Sequence, residues 1–170
     1  MAINGLALGT NNISAQLATK LDIAGGKVLQ IVRATDTTSR TTTSTSFVDV
    51  TGMSVTITPQ KSTSVILVLS MFRANILDTA SDLVLGNFQI TNSSNTALSG
   101  AESMPVGTLR FTVTASPRLW MPICLVGYSA PATTSATTYK LRFNSQNASI
   151  TTELENNDST GQMYAIEVSA

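Results

Sequence analysis

Among its 170 residues the chain has no histidine. That removes the usual Ser-His-Asp and Cys-His arrangements and the commonest metal ligand. Cys124 is the only cysteine, so neither an internal disulfide nor a thiolate metal cluster can form. It lies in the apolar run LWMPICLVGY without an electropositive neighbourhood, and a buried, inert thiol is expected there. Charged residues make up only 12 % of the chain, about half the usual quarter. Ten basic and ten acidic residues cancel, and the basic ones are scattered. No basic field exists to attract phosphate, so nucleic acid is not an expected partner. No apolar stretch is long enough to span a bilayer, and no membrane insertion is expected. The start, MAINGLALGTNNISAQ, has neither a basic n-region nor a continuous apolar h-region. It does not read as a signal peptide, and synthesis and assembly in the cytosol are expected.

Hydroxyls take the place of charge. Roughly a quarter of the residues are Ser or Thr, well above average usage. Low charge limits solubility, so part of the surface is expected to be covered in the working assembly. Thr35 to Thr58 reads TDTTSRTTTSTSFVDVTGMSVTIT and sharpens into strict alternation. Met53, Val55 and Ile57 fall on one side, Ser54, Thr56 and Thr58 on the other, the period of a strand with one buried face.

Residues 1–26 stand apart as an attachment or assembly segment. Asn12 can cap a short helix in which Ile13, Leu17 and Leu21 recur at i, i+4 and i+8, and Gly25-Gly26 stops it. A helix of about three turns is marginal alone in water. It must pack on the β domain, on copies of itself or on a larger partner, and its terminal position favours an anchoring role.

From Lys27 to Ala170 only strands are expected. Candidates are KVLQIVRA, SFVDV with MSVTIT, SVILVLSMF, DLVLGNFQIT, TLRFTVTA, RLWMPICLVGY, TTYKLRFNS, ASITTEL and QMYAIEV. Thr51-Gly52 reads as a turn or bulge, Gly86 as a possible bulge, and Pro122 as the mark of an edge strand or bulge. Five consecutive apolar residues, Val65 to Leu69, imply a strand covered on both faces. In QMYAIEV the expected inner face is Tyr164, Ile166 and Val168. Eight to ten short strands separated by turn signals predict an all-β antiparallel sandwich. Long crossings at 92–107 and 129–137 make it jelly-roll-like, preceded by the extended or helical N-terminal segment. Its open edges invite oligomerisation.

Few residues carry chemistry. Asp78 and Asp82 form one acidic pair. Glu153, Glu155 and Asp158 form a second cluster with enough oxygens for calcium but without EF-hand spacing, and a solvated loop is the expectation. No paired acids suggest a glycosidase. Trp120, Tyr128, Tyr139 and Tyr164 could stack on sugar, but Tyr139 and Tyr164 fall on apolar faces and read as core. Trp120, beside Arg118, is the candidate for partner contact. No catalytic residue, cofactor or metal site is expected.

KVLQIVRATD, TTTSTSFVDVTGMSVTITP, KSTSVILVLS, PATTSATTYKLRFNS and YAIEVSA, in this order, resemble a family of small structural proteins of tailed bacteriophages. SFVDVTGMSVTITP is the most specific of them. The segment FQITNSSNTALSGAESMPVG departs from the family pattern, which commonly has a polar hairpin there. The resemblance implies a β-sandwich on the virion surface, often a homotrimer, without catalytic residues. The expected function is therefore non-enzymatic: a trimeric capsid decoration (cement) or short head-fibre protein. Its partners would be itself and the major capsid protein or another virion protein. Ile13, Leu17 and Leu21 would make the anchoring contacts. The alternative is a tail-fibre tip that recognises a host surface glycan or protein. An unrelated sugar-binding module or hydrolase is the third reading, with hydrolysis disfavoured by the missing histidines and acid pairs.

Overall fold

In the computed structural model the described residues are 26–78, 84–108 and 120–169. They form strands β1 (Val28–Asp36), β2 (Arg40–Thr42), β3 (Val48–Ile57), β4 (Val65–Asp78) and β5 (Val84–Asn92). Then come β6 (Met104–Thr108), β7 (Met121–Ser129), β8 (Thr137–Ser145), β9 (Ile150–Leu154) and β10 (Gly161–Val168). All pairings are antiparallel. One sheet has the order β1-β10-β4-β9-β2, with β7 on the other edge of β4; the second has the order β3-β8-β5-β6. The chain crosses between sheets at most connections, so the fold is the expected antiparallel sandwich. Among the described residues there is no helix, and none long and apolar enough to cross a membrane.

The core lies between the sheets. Strand β3 contributes Val50, Met53, Val55 and Ile57. Val50 and Met53 are three apart, yet both point inward. The register shift between Asp49 and Ser54 makes this possible, with Gly52 at φ 92°. An extra residue in one strand resets the inward parity, and Gly takes positive φ without a Cβ penalty. Of the turn or bulge expected at Thr51-Gly52, the bulge is present. Phe88 packs at 4.8 Å from Phe72 and 6.2 Å from Phe143, ring centroid to centroid, joining β5 to β4 and β8. The expected bulge at Gly86 is not present: β5 keeps continuous register with both neighbours. A Cβ there would collide with Thr152 and Ile76, so this glycine permits the close approach of the two sheets.

Several other expectations change. The crossing read as 92–107 contains β6, and its first half is ordered against strands. Leu98 N–H donates to Ile90 O, Ile90 N–H to Ala101 O, and Tyr128 N–H to Ser99 O. This loop therefore ties β5 to β7 and closes one flank of the sandwich. The three-residue β2 lies in the threonine run, too short for periodicity to show. In β10 the inner face is Met163, Ala165 and Glu167, not Tyr164, Ile166 and Val168. In β4 the inner side chains Ile66 and Val68 are fully buried, whereas Val65, Leu67, Leu69 and Met71 are covered only partly. Among the described residues Pro122 lies in an edge strand: β4 is the one strand paired along β7, with a single further bridge from Ser99 to Tyr128. The proposed helix at Asn12–Gly26 and the strand expected at TLRFTVTA fall outside the described residues, Gly26 and Thr108 apart.

Candidate interaction surfaces

The outer face of the six-stranded sheet is apolar over four strands. Register aligns Ile31, Ile166, Leu67 and Tyr128 in one row across β1, β10, β4 and β7. The next row is Arg33, Tyr164, Leu69 and Val126. Val28, Val168 and Val65 flank these on one side; Thr35, Gln162, Met71 and Cys124 flank them on the other. Ile31 is 59 % exposed, Val28 51 %, Val126 48 % and Tyr128 47 %. A solvent-facing strand normally alternates apolar-in with polar-out. Here β4, β7 and β10 are apolar at both parities, which is why sequence periodicity could not tell their faces apart.

Arg33 is the only charged side chain in these four rows. Its guanidinium lies 5.9 Å from the Tyr164 ring centroid, and its Nε donates to Gln162 Oε1 at 3.0 Å. Tyr164 O–H donates to the same oxygen at 2.7 Å. Cys124 is exposed on this face rather than buried as expected. Strand parity sends Leu125 and Gly127 inward and therefore Cys124 outward.

At one end the face runs into a groove of about 280 Å3. Met71, Pro122, Ile123 and Cys124 line it on one side, and Ser159, Thr160 and Gln162 on the other. The groove arises where β4 changes partner from β10 to β9. At that point Glu155 N–H donates to Arg73 O, and residues 155–160 arch outward. Arg73 donates from Nη2 to Glu155 Oε2 at 2.8 Å and to Asp158 Oδ2 at 2.6 Å. Its guanidinium lies 5.8 Å from the ring of Trp120, which is 49 % exposed.

Of the acidic cluster, Asp158 is in the expected solvated loop. Glu155 is buried against Arg73, and Glu153 lies in β9, where it accepts from Asn75 Nδ2. An arginine therefore occupies the position a cation would take. Among the described residues no three His, Cys, Asp or Glu side chains converge in a metal-binding group. The Asp82 side chain and that of Asp78 are outside what is described. Ile13, Leu17 and Leu21 also lie outside the described residues. Tyr139 is core as expected, its hydroxyl donating to Ser129 Oγ; burial is the main cause of its raised pKa.

The outer face of the four-stranded sheet has the opposite character. Thr56 and Thr138 hydroxyls meet at 2.8 Å, and Asn87 Nδ2 donates to Asn144 Oδ1 at 2.9 Å. Asp49 accepts from Lys140 Nζ at 2.7 Å and Arg142 Nε at 2.8 Å. Burial pushes the Asp49 carboxyl up, but the hydrogen bonds and charges of Lys140 and Arg142 prevail and leave it below the ordinary carboxylate value. This surface is paired and hydroxylated, with no apolar row among the described residues.

An antiparallel β-sandwich with one apolar and one hydrated outer face is the class these features define. No family model matches the chain, and no curated protein does. Among solved structures it is similar to the D431N mutant VP2 protein of infectious bursal disease virus, solved as derived T=1 particles. The identity is 13 % and the TM-score 0.29, over 82 % of this chain and 39 % of that one. The chain thus spans well under half the length of that protein.

Proposed function

We propose that the chain is a non-enzymatic structural protein of a bacteriophage virion. In this reading it is a trimeric capsid decoration or short head-fibre protein attached through residues 1–26. The observation that carries the reading is the contrast between the two outer faces of the sandwich. One is apolar and calls for a cover; the other is hydroxyl-rich, internally paired and suited to solvent. A building block of an assembly needs both. The resemblance of five segments, covering most of Lys27–Ala170, to small phage structural proteins supports the same reading and is the source of its virion setting. Ile13, Leu17 and Leu21 are assigned the apolar contacts to the shell.

The test is to image particles with antibody against this chain and to sediment them with added protein. Label spread over the head, with Leu17→Asp abolishing co-sedimentation while the β domain keeps its far-ultraviolet spectrum, is the expected result. Undiminished co-sedimentation of Leu17→Asp would remove the anchoring role, and unlabelled particles would remove the virion reading.

The cluster of Trp120, Arg73, Glu155 and Asp158, near the groove but not lining it, favours a second reading, a receptor-binding tail-fibre tip. An exposed indole beside an Arg-carboxylate cluster and a hydroxyl and amide rim is chemistry suited to a sugar. Label confined to the tail, with adsorption of purified protein to host cells lost in Trp120→Ala, would favour it.

A further inference from the structure

We propose that the outer face of the six-stranded sheet is where a second copy of this chain docks, sheet face against sheet face. The inference takes from the reading above only that copies associate; a face stacked on its own copy closes as a two-fold pair, so it predicts a dimer in place of the trimer of that reading, and it does not depend on where in a virion the protein sits.

Size argues for a second copy. Four strands spaced about 4.8 Å apart make the face about 19 Å wide, and four rows of alternate residues make it about 27 Å long. Flat, that is on the order of 500 Å2, and side-chain relief brings it towards the ~800 Å2 per partner of a standard interface. The chain's own N-terminal segment is the obvious rival. A three-turn helix is about 10 Å wide and roughly 16 Å long, and would leave more than half of the face bare. A second sheet stacked at about 10 Å covers all four rows together.

Composition agrees with size. Ile31, Leu67, Ile166 and Val126 are the branched aliphatic side chains that interdigitate between stacked sheets. Val65 to Leu69 is a run suited to a strand covered on both faces, and the described residues cover only one of them fully. Charge does not oppose the contact. Arg33 sits on the outermost described strand with its guanidinium over the Tyr164 ring and its Nε bonded to Gln162, so its charge enters the contact already partnered.

Cys124 supplies a built-in probe, because the chain's only thiol lies on this face. The purified full-length protein is weighed by light scattering, and its thiol is titrated with an aromatic disulfide reagent. Ile31→Lys/Val126→Lys is compared with Thr56→Lys on the opposite face, each checked by circular dichroism. The expected wild type is a dimer, twice the 17.9 kDa of one chain, with a slow thiol, and a trimer would overturn the face-to-face pairing. The double variant should fall to 17.9 kDa, and its thiol should react about tenfold faster or more, as for a site closed by association. Thr56→Lys should change neither. A wild-type monomer with a slow thiol would mean that the chain's own N-terminal segment covers the face. A monomer with a fast thiol would mean that it is bare in the isolated protein. An oligomer with a fast thiol would show that copies meet elsewhere. Each of these three overturns the proposal, and the wild-type readings decide them even if a variant fails to fold. Failure of the wild-type protein to bind particles, with the oligomer intact, would instead count against the virion reading alone.

Discussion

Glu167 is a carboxylate in the sandwich interior that is held by neutral donors. Gln30 Nε2 donates to its Oε2 at 2.6 Å, and the Gln60 and Lys61 N–H groups donate to its Oε1 at 2.8 and 3.3 Å. Burial alone would raise its pKa, but these hydrogen bonds outweigh that and hold it below the ordinary glutamate value. Between the folded and unfolded pKa values the unfolded chain therefore binds more protons, and stability rises with pH. The contribution is fully present above the unfolded glutamate value of about 4.3 and is lost as pH falls through the folded one. Denaturation midpoints measured from pH 6 down to pH 3 should show this loss. Glu167→Gln should be less stable at pH 6 and have a flatter acid limb; an unchanged acid limb would rule out the role. Sequence gave little warning of this residue, because Glu167 alternates with side chains read as the inner face. Gln30, Gln60 and Lys61 come from distant segments, and only the fold brings their donors to it.

Strand β4 shows at the scale of an element what alternation can and cannot say. Its apolar run was legible as a strand, but both parities are apolar, so which side is core depended on its neighbours. Ile66 points between the sheets with no exposed surface, and Leu67 points out. Ile66→Ala should lower unfolding stability by about 2–5 kcal/mol through lost burial and a cavity. Leu67→Ala, measured in the monomeric Ile31→Lys/Val126→Lys background, should cost clearly less. Equal losses in urea titrations of the two variants would contradict the assignment of faces. The same ambiguity reversed the expected face of β10 and buried Cys124 on paper. By contrast β3 and β8 alternate apolar with Thr, Asp, Lys or Arg, and their inner faces were readable throughout.

Across the whole molecule the first and last described strands are neighbours. β10 lies between β1 and β4, contributing Met163, Ala165 and Glu167 to the interior and hydrogen bonds on both edges. The fold closes only when both ends of the described chain are in place. Deleting residues 161–170 should abolish cooperative thermal unfolding, leaving β1 without a partner and an open core. A sharp calorimetric transition in the truncated chain would refute this closure. The two dissimilar outer faces also belong to this scale, since each is assembled from strands far apart in sequence.

By itself the sequence determined the all-β class, the positions of most strands, a turn or bulge at Thr51-Gly52 and an edge or bulge at Pro122, and the register then chose between each pair. Each follows from local physics: side-chain period, β-branching, the positive φ open to Gly, and the missing N–H of Pro. Only the tertiary structure decided which face of β4, β7 and β10 is inside, why Gly86 must be small, and how Arg73, Glu155, Asp158 and Trp120 meet. Those depend on strand register and on the change of partner along β4, which are contacts between distant segments. A strand apolar on both sides carries no local signal for choosing between them.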